Sequence, residues 1–163
     1  MIVYYATHGL VWAAVALLVL AALTDLHALT IPNWLVLGLA GLYVLLRIVA
    51  FDLGAVTTDL TAAAMVFAFC FACFCFGWLG GGDAKLATVA ALWVGLGSLA
   101  GFVVVTTMSG AILALALLAV RRWLPSVSDR EGGGAVTPAF LERGAPVPYG
   151  VAISVGAIAA MLA

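Results

Sequence analysis

The sequence predicts an all-α integral membrane protein with about six transmembrane helices. Of its 163 residues, 67% are hydrophobic and 8% are charged, whereas a soluble domain carries about 25% charged residues. The mean hydropathy is +1.30, and long apolar runs alternate with short polar breaks along the chain. Because so apolar a surface is incompatible with water, we expect the lipid bilayer to be the main solvent.

The first three spans are predicted from apolar runs close to the length of about 20 residues that crosses the hydrocarbon core. They cover residues 3–23, 34–51 and 60–79. In the break between the first two, Pro32 disfavours helix at the preceding residue and Asn33 is expected to cap the second helix. Residues 52–59 are expected to form a polar loop in which Asp52 and Asp59 are ordinary interfacial charges.

The second half of the chain holds the remaining three predicted spans. A short fourth span covers residues 84–93, and a tight turn near 94–99 leads to a fifth span at 100–120. Residues of about 121–147 are polar and rich in Gly and Pro, which predicts a flexible surface loop. A short last span, 147–163, completes a single polytopic domain.

The positive charges predict the orientation of the chain in the membrane. Five of the six Lys and Arg residues fall in the segments that follow the first, third and fifth spans. Positive residues accumulate in cytoplasmic loops, so this side is expected to face the cytoplasm.

The net charge argues against a nucleic-acid-binding protein, and the placement of the cysteines argues against a metal-binding protein. The net charge of −1 gives no sign of the basic patch that binds nucleic acid, so no nucleic-acid partner is expected. Cys70, Cys73 and Cys75 lie within one apolar run, and a zinc site needs about four ligands. We therefore interpret them as small packing residues and expect neither a metal nor another cofactor.

Asp25 and Asp83 mark the candidate site. Asp25 closes the first span and Asp83 opens the fourth, so two crossings separate them and both must lie on the same side of the membrane. By position alone, both are equally well read as ordinary interfacial charges. However, the run Gly80–Gly82 before Asp83 permits unusual backbone and close approach of another chain, and Pro32 redirects the chain after Asp25. We therefore predict a pair of carboxyl groups that share one proton and act as base and acid.

Three motifs resemble those of a known family. Gly80-Gly81-Gly82-Asp83 fits the G-x-G-D signature of intramembrane-type aspartyl proteases. Residues 25–33, Asp-Leu-His-Ala-Leu-Thr-Ile-Pro-Asn, resemble the other half of the site in type IV prepilin (leader) peptidases. Residues 148–152, Pro-Tyr-Gly-Val-Ala, resemble the opening of that family's last helix. The resemblance covers nearly the whole chain in order and spacing.

This resemblance implies a membrane aspartyl endopeptidase of the GxGD fold, with Asp25 and Asp83 as the catalytic pair. It would cleave the leader from prepilins at the cytoplasmic face of the bacterial inner membrane. Residues near the two aspartates in sequence would support the site or bind substrate: Gly80, Gly82, Lys85, Pro32 and Asn33. The implied partners are a prepilin with an apolar helix and a short basic leader, the bilayer, and the pilus secretion machinery.

The size of the chain distinguishes branches of this family. It lacks the cytoplasmic extension with paired C-x-x-C motifs that the bifunctional members carry, so N-methyltransferase activity is not expected. In its size it resembles the short Tad/Flp-pilus peptidases instead.

Two alternatives use the same residues differently. In a small membrane transport or proton-relay subunit, the acids would bind ions, and their substitution would alter ion flux without affecting any peptide. In a structural membrane component, both aspartates would tolerate substitution.

Overall fold

The computed structural model of the chain describes residues 1–52, 54–123, 139–141 and 145–163. Within these residues it contains helices and no strand, which confirms the all-α prediction. The elements in chain order are α1 (Ile2–Ala28), α2 (Asn33–Ala50), α3 (Gly54–Cys75), α4 (Gly81–Trp123), a 3-10 turn (Ala139–Leu141) and α5 (Tyr149–Leu162).

Helices α1 to α4 are long and apolar enough to cross a membrane, and α5 is a shorter apolar helix. Large hydrophobic side chains face outward, as the 71% exposure of Phe69 and the 66% exposure of Leu115 illustrate. Alanines fill much of the interior, including Ala14, Ala21 and Ala91, each with none of its surface exposed. Small side chains let helices approach closely in a bilayer. The chain is therefore a multi-pass membrane protein.

Gly95 divides α4 into two arms. Its backbone, at φ 69° and ψ 173°, is not helical, and we call residues 81–94 the first arm and residues 96–123 the second arm. Gly95 lies against the Asp59 carboxylate of α3, whereas Gly110 of the second arm lies against Tyr149 and Ala152 of α5. After the break at Gly95, the chain reverses direction, and the second arm packs against the first turn of α5. The break falls inside the predicted turn at 94–99, and with it the five α-helices of the described residues form six helical segments.

The expected polar loop at 52–59 is wrong, because α3 already begins at Gly54 and includes Asp59. Asp59 is only 4% exposed and is not an interfacial charge. Its carboxylate accepts a hydrogen bond of 2.7 Å from the Tyr43 hydroxyl and pairs with the Arg47 guanidinium. A buried carboxylate persists where a cation and further donors compensate its lost hydration, and here α2 supplies both.

The helix ends near the break between α1 and α2 also differ from expectation. α1 continues to Ala28 and ends at Leu29 in the left-handed conformation, so Asp25 lies within its last turn. The N-cap of α2 is Pro32, and Asn33 is already helical. The prediction that Asn33 caps α2 is therefore wrong. The proline's fixed φ and its carbonyl, which accepts the N–H of Leu35 at 3.1 Å, start the helix instead.

Two further boundaries are shifted. α3 ends at Cys75, ahead of the glycine run, and the chain turns at Gly77 with φ 73°. Arg121 and Arg122 belong to the last turn of α4 rather than to the expected loop at about 121–147. Most of that loop falls on residues 124–138 and 142–144, which lie outside the described part of the chain.

Candidate active site

The Asp25 carboxylate lies at the N-terminus of α5. Its side chain comes from the last turn of α1 and is buried. Oδ2 accepts a hydrogen bond of 2.7 Å from the backbone N–H of Gly150. The first N–H groups of a helix have no partner within the helix, and they carry partial positive charge. Asp25 therefore caps α5 from another helix, in an arrangement that stabilises its anion.

Gly150 is required by this close approach. A Cβ at this position would lie 2.8 Å from Oδ2 of Asp25 and 2.9 Å from Cδ1 of Ile31. No larger residue fits without displacing one of these groups. Sequence reasoning did not name Gly150 as a site residue, although the Pro-Tyr-Gly-Val-Ala motif at 148–152 was the signal that pointed to it.

Asp83 is the third residue of α4 and is half-buried. The carbonyl of Gly80, the residue before the helix, accepts the N–H of Ala84 at 3.0 Å. Asp83 thus lies in the first turn of α4, where an acidic side chain interacts favourably with the partial positive charge of the helix N-terminus. A Cβ on Gly80 would lie 3.0 Å from Oδ2 of Asp83, so the glycine leaves this carboxylate open on that side.

Ile31 links the two halves of the site. A Cβ on Gly82, next to Asp83, would lie 3.4 Å from Cβ of Ile31, and the same side chain lies against Gly150. Ile31 thus lies between the glycine that contacts Asp25 and the glycine that precedes Asp83, at one end of the helical bundle.

The remaining predicted site residues lie around this pair. The Lys85 ammonium donates to Oδ1 of Asn33 at 3.2 Å, which joins the starts of α4 and α2 at the exposed edge of the site. Pro32 turns the chain into α2, directly after Ile31. His27 is exposed on the last turn of α1.

An apolar groove of about 600 Å³ runs along the protein between α3, both arms of α4 and α5. At one end it includes Leu79, which precedes the glycine run, Ala87, one turn after Asp83, and Tyr149, which precedes Gly150. Farther along it includes Met65 and Val103. The groove therefore connects the surroundings of the two carboxyl groups with the membrane-facing side of the bundle.

Comparisons with known proteins give one match. A family model described as the type IV leader peptidase family matches residues 12–115. The matched range includes Asp25, Asp83, the second half of α1 and all of α2 and α3, and it ends within α4, before α5. No curated protein and no solved structure matches the chain. The contact between Asp25 and Gly150 lies partly outside the range that the family model describes.

Proposed function

We propose a specific activity for this chain, which belongs to the type IV leader peptidase family and is a membrane protease. It is an aspartic-type endopeptidase that removes the leader from Flp-like type IV prepilins at the cytoplasmic face of the bacterial inner membrane. The observation that supports the proposal is that Ile31 packs against Gly150, which contacts Asp25 of α1, and against Gly82, which precedes Asp83 of α4.

In the proposed mechanism the two carboxyl groups share one proton in the resting site, because two like charges at short range resist joint ionisation. Asp25 accepts the Gly150 N–H at a helix N-terminus, a setting that favours its anion. Asp25 is therefore assigned as the base and Asp83 as the acid. The pair still titrates as a unit, so the assignment describes the resting protonation rather than two independent groups.

Hydrolysis then proceeds in two balanced steps. Asp25 takes a proton from water while the water oxygen bonds to the scissile carbonyl carbon, and Asp83 gives its proton to the carbonyl oxygen. In the second step the C–N bond breaks, the leaving amine takes the proton from Asp25, and Asp83 regains a proton from the tetrahedral hydroxyl group. The products are a carboxylic acid and an amine, and the site returns to its starting state.

The apolar groove is the proposed binding site for the prepilin's apolar helix. Its lining is largely apolar and includes Ala87, one turn after Asp83, and Gly110, Ala111 and Ala114 form its wall on the second arm. Small residues in this spacing permit close approach of a partner helix within the membrane. The leader would then pass over the exposed Gly80 toward the polar edge formed by Lys85 and Asn33.

The test is co-expression with candidate Flp-type prepilins, followed by mass spectrometry of the pilin N-terminus. The wild-type protein should yield the mature N-terminus. Asp25→Asn and Asp83→Asn should leave the leader attached while the protein still inserts in the membrane. Asp52→Asn is the matched control, because Asp52 is an exposed carboxylate next to Arg47, away from the site. Normal processing by either site variant, or altered ion flux without any cleavage, would contradict the proposal.

A further inference from the structure

We infer that Arg121 is a positioning residue for the aspartate pair, because its guanidinium holds the segment that leads into α5. The inference rests on the proposed function for its kinetic consequence, but its structural consequence is measurable without activity. Arg121 lies in the last turn of α4, at the end of the second arm. Sequence reasoning placed it in a flexible loop and gave it only the role of a positive charge on one side of the membrane.

Arg121 makes four hydrogen bonds to backbone carbonyls. Nε and Nη2 donate to the carbonyl of Phe140 at 3.1 and 2.5 Å. Nη1 donates to Ala145 at 2.8 Å, and Nη2 also donates to Pro146 at 3.3 Å. The planar guanidinium has five donors in a fixed fork, so it can hold several carbonyls in one relative arrangement. It therefore fastens both the 3-10 turn and residues 145–146 to the second arm.

The held segment continues directly into the partner of Asp25. After Pro146, the carbonyl of Val147 accepts the N–H of Tyr149 at 2.9 Å, and Pro148 is the fully buried N-cap of α5. The next residue but one is Gly150, whose N–H donates to Asp25. Proline fixes its own φ and restricts the residue before it. The Pro146 carbonyl, which accepts from Arg121, therefore lies only four positions along the chain from the Gly150 N–H, which donates to Asp25, and the proline at 148 restricts the conformation between them.

The 3-10 turn adds a second connection, since it contacts both α1 and α4. α1 carries Asp25, so the guanidinium joins the second arm to one segment that contacts α1 and to another that leads into α5. Displacement of residues 145–148 would move the α5 N-terminus away from the carboxylate. The expected consequence is a loss of alignment at the reacting groups, with little change in the groove that would bind the substrate's apolar helix.

Arg122 provides a matched control. It is exposed on the same turn of α4 and carries the same charge on the same side of the membrane. Arg121→Gln and Arg122→Gln therefore change net charge and topology signals equally. Arg121→Lys keeps the charge but replaces the fork by a single ammonium, which cannot span the same three carbonyls.

The kinetic test uses the full-length protein in liposomes with a Flp-type prepilin. Small displacements of reacting groups cost about 10²-fold in rate, so Arg121→Gln should lower kcat by about 10- to 100-fold with KM changed by less than about 2-fold. Arg121→Lys should recover only part of the loss, and Arg122→Gln should resemble the wild type. Equal kinetics for the Arg121→Gln and Arg122→Gln variants would overturn the inference.

A spectroscopic test does not depend on activity. Tyr149–Gly150 is the sole Tyr–Gly pair in the sequence, so 13C-carbonyl tyrosine combined with 15N glycine selects the Gly150 amide. Its proton resonance should lie downfield when it donates to a carboxylate, and it should move upfield in Arg121→Gln and Asp25→Asn but not in Arg122→Gln. If the wild type cleaves no prepilin, the proposed function is wrong. The chemical shift of the Gly150 amide proton still tests whether Arg121 positions the N-terminus of α5. An unmoved Gly150 resonance in Arg121→Gln and Arg121→Lys would reject it.

Discussion

Asp25, in the last turn of α1, accepts a hydrogen bond of 2.7 Å from the backbone N–H of Gly150, in the first turn of α5. The two residues are 125 positions apart in sequence. The contact holds one of the two aspartates in a buried position while directing the positive end of a helix toward it. It also makes the last helix part of the site.

Gly150→Ala should therefore impair catalysis more than folding. The new Cβ would lie 2.8 Å from Oδ2 of Asp25 and must displace the carboxylate or the helix. Alanine itself favours helix over glycine by about 1 kcal/mol, so local helix stability should not fall. We expect kcat for leader cleavage to drop by at least about 10²-fold.

The control for this variant is Gly101→Ala, at a helical glycine where an added Cβ meets nothing within 4 Å. It should retain wild-type activity. If Gly150→Ala cleaves prepilin at the wild-type rate, the close contact with Asp25 is not needed for the reaction.

Gly95→Ala should destabilise the protein through the reversal between the two arms of α4. At φ 69° a side chain is strained, and its Cβ would lie 2.7 Å from Oδ1 of Asp59. Strain of this kind costs about 1–3 kcal/mol. Thermal unfolding in detergent should show a lower Tm. Gly97→Ala, two residues along in open space, should leave the Tm unchanged or raise it, and equal effects of the two substitutions would argue against a strained reversal.

The buried Asp59 should make Arg47 more important than an ordinary surface cation. Arg47→Gln leaves the Asp59 carboxylate with the Tyr43 hydroxyl but without its paired cation. Loss of one partner of a buried pair costs about 3–5 kcal/mol. The double variant Arg47→Gln with Asp59→Asn removes both charges and should be more stable than Arg47→Gln alone. The free energies of unfolding of the single and double variants, measured with denaturant, give the sign of the coupling between Arg47 and Asp59. If the effects of the two single substitutions simply add up in the double variant, the two side chains are not coupled.

Filling the apolar groove should affect long substrates selectively. Ala111→Phe places a ring on the groove wall of the second arm, and it should raise KM for full-length prepilin by about 10-fold, as expected for lost uniform binding. Cleavage of a short peptide that contains only the leader and the first mature residues should change little. Ala116→Phe, exposed on another face of the same helix, is the control. Equal KM values for both variants would show that the substrate helix lies elsewhere.

The prediction that Asp25 and Asp83 lie on the same side of the membrane depends on counting crossings rather than on helix boundaries. α1 runs five residues beyond its predicted end, and α3 begins six residues before its predicted start. Neither shift changes the number of crossings between the aspartates. The turn near Gly95 was also predictable, since clustered glycines interrupt an apolar run too long for one span.

Tertiary partners explain what sequence could not provide. Asp59 was taken for a loop charge because nothing local shows that Tyr43 and Arg47, one turn apart on α2, face it. Asn33 has a high capping preference, yet its side chain accepts a hydrogen bond from Lys85 instead. Gly150 and Arg121 act on Asp25 through contacts with residues far away in sequence. In each case the sequence shows the residue type but not the residue that it contacts in the folded protein.

Single-turnover cleavage of a Flp-type prepilin by purified variants decides whether Asp25 and Asp83 work as one catalytic unit. We expect Asp25→Asn and Asp83→Asn each to lower the rate nearly as much as the double variant, because the effects of residues that act as a unit are strongly non-additive. Independent, multiplicative losses, or a substantial rate in either single variant, would contradict it.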